Sequence, residues 1–155
     1  SQLRALHLRN TCLTDSSLAT VSRGFSLPNV TTLDLSDNPK LQGKGDFHFA
    51  EWLRESPRLT KLSLRNALIG GFELSQPSGW LKELTSLDLS KCRIQAGAMA
   101  HVVGVVLPGL TSLRHLDLSD NHISGRAAAL LPLTLRQLPG LIRLRLNRTL
   151  TCKYV

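Results

Sequence analysis

The sequence predicts an α/β solenoid, a stack of six strand–turn–helix units whose strands lie side by side in the same direction. Three observations carry that expectation. The hexapeptide LDLSDN stands at residues 33–38 and again at 116–121, with LDLSKC between them at 87–92. The looser phrase L-x-x-L-x-L occurs six times, starting at Leu3, Val30, Leu59, Leu84, Leu113 and Leu141, at intervals of 27, 29, 25, 29 and 28 residues. Leucine supplies 33 of the 155 residues. A single globular core gives no reason for one phrase to recur at a near-constant interval, whereas stacked units do.

Each element of the unit follows from its residue types. Leucines at alternate positions, such as Leu33 and Leu35, share one face of an extended strand, so each copy contributes one strand. The column Thr11, Asn38, Ala67, Cys92, Asn121 and Thr149 comes next. An Asn there can bond the turn backbone that leaves the strand, and stacked copies would make a ladder of such bonds. Cys92 offers a weaker version and reads as a packing residue rather than a nucleophile; Ala67 offers none. An aliphatic residue recurs at Leu13, Leu41, Ile69, Ile94 and Ile123, followed by room for a helix. Asp46 can cap one that carries Phe49, Trp52 and Leu53, and Ala96 to Leu107 forms another. Prolines 28, 57, 108 and 139 close most helices before the next strand. Two copies depart from the rule: Gln76-Pro77-Ser78-Gly79 predicts a turn or a stub of helix, and Pro132 predicts a late helix start or a kink.

The L-x-x-L-x-L-x-x-N/C phrases resemble the leucine-rich repeat. Their period, and the stretch at 123–146, resemble its ribonuclease-inhibitor-like class, as in NOD-like receptor, Tonsoku-like or tropomodulin repeat domains. The resemblance implies one curved domain over 1–155, with parallel strands on the concave face and helices on the convex face. It also implies a protein-interaction role, without enzyme activity or a cofactor. The chain starts on a strand and stops nine residues after Leu146 with no capping unit, so it is expected to be a segment of a longer protein. A structural or autoregulatory role, packing on other domains of its own chain, is the alternative. LDLSDNPKLQGKG at 33–45 is similar to a stretch of the monocyte lipopolysaccharide co-receptor, a surface leucine-rich-repeat protein, which implies a third reading as a pattern-recognition co-receptor.

Function is expected on the strand residues that point away from the leucines. These are Ala5, His7, Arg9; Thr32, Asp34, Ser36; Lys61, Ser63, Arg65; Ser86, Asp88, Ser90; His115, Asp117, Ser119; and Arg143, Arg145, Asn147. The candidate partner-binding residues of the concave face are Asp34, Lys61, Arg65, Asp88, His115 and Asp117, suited to a protein segment bearing lysine or arginine. No Trp or Tyr stands among the outward set, so the anchors of a tight hot spot are missing and modest affinity is expected. Charge marks a second candidate. The chain carries a formal +8, and residues 126–155 hold six basic residues and no acidic one, which makes Arg143, Arg145 and Arg148 a basic end. Nucleic acid is disfavoured there because no aromatics interleave the arginines.

Other classes find little support. His115, Asp117 and Ser119 are hydrolase residue types, but successive ones on one strand face stand about 7 Å apart, too far for a proton relay. Asp88 and Asp117 would be lateral neighbours, and solvation is the expected state of both. The sequence has no P-loop, paired C-x-x-C or H-E-x-x-H, and no membrane-length apolar run. Three cysteines make no disulfide framework, which points to an intracellular setting, cytoplasmic or nuclear. The sequons at Asn29 and Asn147 leave a cell-surface or secreted one as the alternative.

Overall fold

A computed structural model describes residues 2–24, 27–42, 53–68 and 81–149. Each L-x-L phrase forms a short strand: β1 (Ala5–His7), β2 (Thr32–Asp34), β3 (Lys61–Ser63), β4 (Ser86–Asp88), β5 (His115–Asp117) and β6 (Arg143–Arg145). The six lie in chain order in one sheet, every neighbouring pair parallel. The central leucines align across all of them, Leu6 with Leu33, Leu62, Leu87, Leu116 and Leu144. Because the register never slips, the same side of every strand meets the core.

Backbone pairing continues past the strands into the turns. The amides of Asn10, Asp37, Asn66, Lys91 and Asp120 each donate to a carbonyl of the following repeat, at 2.7–2.9 Å. All five of these residues, and Arg148 in the sixth repeat, have positive φ, between 53° and 59°. A left-handed residue at that point reverses the chain out of the strand while keeping its amide in the ladder.

The helices follow where the sequence leaves room. In α1 (Asp15–Gly24) Leu18 and Ala19 face the core. Its start is fixed by reciprocal bonds, Thr14 amide to Ser17 Oγ at 2.8 Å and Ser17 amide to Thr14 Oγ1 at 3.2 Å, a capping box built with serine. The helix expected at Ala96 to Leu107 is present as α2 (Ala96–His101), which widens into a π-helical turn at Val102–Val106 and tightens to 3-10 at Leu107–Gly109 around Pro108. The widened turn accommodates the next helix: Thr134 Oγ1 donates to the Val103 carbonyl at 2.8 Å, and a Cβ on Gly104 would lie 3.0 Å from a Leu130 methyl.

That next helix, α3 (Arg126–Arg136), corrects one expectation. It begins six residues before Pro132 and runs through it, so the late start does not occur. Packing on α2 and its π-helical turn holds the helix across the missing proline N–H. The helix expected around Phe49 and Trp52 lies outside the described residues apart from buried Leu53, and the stretch Gln76 to Gly79 lies outside them altogether.

The core is a leucine stack. Leu33, Leu62, Leu87 and Leu116 are at most 2% exposed, as are the second strand leucines Leu35, Leu64, Leu89 and Leu118. Leu6 and Leu8 in the first repeat and Leu141, Leu144 and Leu146 in the sixth are only partly buried, because each has a neighbouring repeat on one side alone.

Candidate functional site

The open face of the sheet carries the expected rows. One reads His7, Asp34, Ser63, Asp88, Asp117, Arg145, and the other Ala5, Thr32, Lys61, Ser86, His115, Arg143. All six residues proposed for this face therefore lie on or just beyond four adjacent strands. Lys61 and His115 are exposed. The carboxylates also have local work: Asp34, Asp88 and Asp117 each accept the amide of the serine two residues on, at 2.9 Å. These bonds cover the outward-pointing Ser36, Ser90 and Ser119, which are at most 5% exposed. The Asp side chain folds over its own turn and shields the serine; Asp88 also accepts the Ser90 hydroxyl at 2.7 Å, and Arg65 donates to the same Oγ at 3.0 Å.

Each end of the acidic row has a basic side chain beside it. His7 Nδ1 lies 3.9 Å from Asp34, and Arg145 lies 3.6 Å from Asp117. Among the described residues Asp88 is the one of the three with no Arg, Lys or His side chain at ion-pair distance. The basic end is correspondingly reduced. Arg148 binds Asp120 through both Nε and a terminal nitrogen, leaving Arg143 as the exposed member of the three with no carboxylate at ion-pair distance among the described residues. At the opposite end Arg9 pairs with Asp37 at 2.9 Å. The Asn66 hydrogen bond outweighs the opposing effect of burial and, with Arg9 adding to it, holds the Asp37 carboxyl below its usual range.

Beneath this face runs the Asn/Cys column. Asn38 is fully buried; its Nδ2 donates to the carbonyls of Leu8, Leu35 and Ser36, and its Oδ1 accepts the amides of Thr11 and Leu13. Asn121 repeats the pattern, donating to Leu89, Leu118 and Ser119 and accepting from Ile94. Both therefore bind their own turn and the turn of the repeat before. Those preceding turns carry an additional left-handed residue, Cys12 at φ 58° and Arg93 at φ 54°, which aims the next amide at the Asn oxygen.

The leucine-rich-repeat family profile ("Leucine Rich repeat") matches residues 26–45, 83–100 and 109–131, the first two spans covering β2 and β4 with their turns, the third β5 and the start of α3. The chain carries leucine-rich repeats. Among curated proteins it is similar to Receptor-like protein 7 of Arabidopsis thaliana, 31% identical over 141 residues, which cover 81% of this chain and 14% of that protein. The six parallel strands with their helices form a leucine-rich-repeat solenoid. Such repeats are protein-binding modules and generally non-enzymatic. No helix among the described residues is long and apolar enough to cross a membrane.

Cys92 occupies the Asn column of the fourth leucine-rich repeat. Its Sγ donates to the Leu64 carbonyl at 3.1 Å, and it is 2% exposed. Burial, reinforced by the Asp88 charge, pushes its thiol from 9.0 up to about 12, so it remains a protonated donor and not a nucleophile. The unfolded chain releases this proton near pH 9 and the folded chain keeps it. Stability is therefore expected to fall as pH rises from 9 towards 12. Urea titrations across that window should show a steeper decline for the native chain than for Cys92→Ala. Iodoacetamide at pH 8 should alkylate exposed Cys12 and spare Cys92; comparable labelling of both would contradict the buried, protonated thiol.

Proposed function

We propose that residues 1–155 act as one non-enzymatic protein-interaction module of the ribonuclease-inhibitor-like class, docking a basic segment of a partner protein on the strand face. The observation that carries this reading is the acidic middle of the face. Asp88 and Asp117 are paired across β4 and β5, Asp88 has no cation at ion-pair distance among the described residues, and their neighbours Ser63 and Ser86 are small enough to let a long side chain approach. Lys61, Arg65 and His115 border this strip and set the register of what can bind, while Arg143 with Arg145 and Arg148 disfavours a basic partner at the sixth repeat. Helices α1, α2 and α3 after their strands support the class. The free thiols Cys12 and Cys92 support an intracellular setting. A second reading, a surface pattern-recognition receptor, draws on the name of the receptor-like relative, of which this chain spans 14%.

The test uses two triple variants, one for each site. Asp34→Asn, Asp88→Asn and Asp117→Asn retain an oxygen for each serine amide while removing charge. Arg143→Gln, Arg145→Gln and Arg148→Gln remove the charge at the other site. Exposed charge pairs are each worth about 0.2–1 kcal/mol, so the Asp triple should weaken capture of a partner about tenfold, and the Arg triple should not. Partners lost with the Arg triple alone would move the site to the sixth repeat. Unchanged capture by both would replace the docking proposal with a structural role inside a longer chain.

A further inference from the structure

We infer that the turns leaving β3 to β6 form a second recognition site, a groove that takes Asp or Glu side chains of a partner polypeptide, with Lys91 and Arg93 as the cations that meet them. The inference rests on the protein-interaction reading but uses the turn edge of the repeats, not the strand face. An open groove of about 380 Å³ is lined by Asn66, Lys91, Arg93, Asp120 and Arg148. All five have positive φ, from 53° to 59°.

The left-handed region suits glycine, and Asn or Asp tolerate it; Lys and Arg gain nothing there and cost more. Three of the five are nevertheless basic. Their backbones are pinned: Asn66, Lys91 and Asp120 donate to Ser90, Ser119 and Asn147 at 2.8–2.9 Å, so the turns stack at the spacing of the sheet and their side chains share one edge.

Charge within the groove selects the ligand. Arg148 grips Asp120 with two nitrogens, which removes the groove's own carboxylate from competition. Asn66 is turned towards Asp37, its Nδ2 donating at 3.2 Å. Lys91 and Arg93 are left exposed and, among the described residues, without a carboxylate at ion-pair distance. Two neighbouring cations beside a neutralised pair fit one or two carboxylates from a few residues of extended chain. A nucleic acid fits less well, since among the described residues no aromatic lines the groove to stack a base.

The test is fluorescence anisotropy with the 155-residue chain and a capped, fluorescein-labelled hexaglutamate peptide at low salt, where exposed charges are least screened. Lys91→Gln with Arg93→Gln should lower affinity about tenfold. Lys91→Gly with Arg93→Gly should do the same, and because glycine relieves the left-handed backbone, that loss is not attributable to misfolding. Arg126→Gln with Arg136→Gln, exposed on α3, should change affinity less than about twofold. The Asp34, Asp88 and Asp117 triple variant should bind hexaglutamate at least as tightly as the native chain, which separates this groove from the strand-face site. No binding, or equal losses for the groove and α3 pairs, overturns the inference. A single-stranded oligonucleotide that displaces the peptide and binds more tightly, with the same sensitivity to Lys91 and Arg93, overturns the polypeptide assignment.

Discussion

Asn38→Ala is expected to destabilise the fold by about 3–5 kcal/mol, seen as a large drop in the urea midpoint. The side chain is fully buried and forms three donor and two acceptor bonds to backbone groups of two consecutive repeats. Alanine supplies none of them, and each buried group left without a partner costs about 1–3 kcal/mol before relaxation. Asn38→Asp sharpens the result. It keeps an oxygen for the Thr11 and Leu13 amides but places a second one against the carbonyls of Leu8, Leu35 and Ser36, so it should be no less harmful than alanine near neutral pH. A cost below about 1 kcal/mol for either change would mean that water or neighbouring groups replace these bonds, and the column would not be the inter-repeat tie described above.

Leu87→Ala should cost about 3 kcal/mol or more, the range for emptying a well-packed leucine site. Leu87 sits on β4 with Leu62 and Leu116 on either side, and all three are at most 2% exposed. The comparison that gives this prediction content is Leu6→Ala. Leu6 has the same role in β1 but a repeat on one side only, and it is partly exposed; about 1 kcal/mol is expected. Equal losses at the two positions in denaturant titrations would argue against a core assembled from neighbour-to-neighbour contacts.

Much of this architecture was legible because the repeated phrase encodes it directly. The alternation in Leu33-Asp34-Leu35 fixes which side chains enter the core, and six copies at a near-constant interval fix the register, so both rows of the strand face were readable residue by residue. The Asn column was legible too, since an amide is the side chain that can donate and accept at once. What escaped was set in part by contacts between residues about 28 positions apart. Arg145 and Arg148 count as positive charge in a sequence tally, yet in the fold they pair with Asp117 and Asp120 of the preceding repeat. Ser36, Ser90 and Ser119 follow the alternation outwards and are buried because the carboxylate two residues earlier closes over them. The thrice-repeated Asp-x-Ser was the available signal. Left-handed backbone at Lys91, Arg93 and Arg148 left no mark in residue type, and the groove they line went unseen.

The reach of the Asn side chain into the previous turn has a consequence for how this chain can vary. Cys12 and Arg93 adopt their backbone conformation opposite Asn38 and Asn121. The turn that faces Ala67 instead holds Pro39, whose ring forbids that conformation, with one extra residue before Leu41. Shape in one turn is thus matched to chemistry in the next. The cassette that can be inserted, deleted or grafted intact therefore runs from one turn to the amide that follows it, and cutting at the apparent period would separate two halves of a single lock.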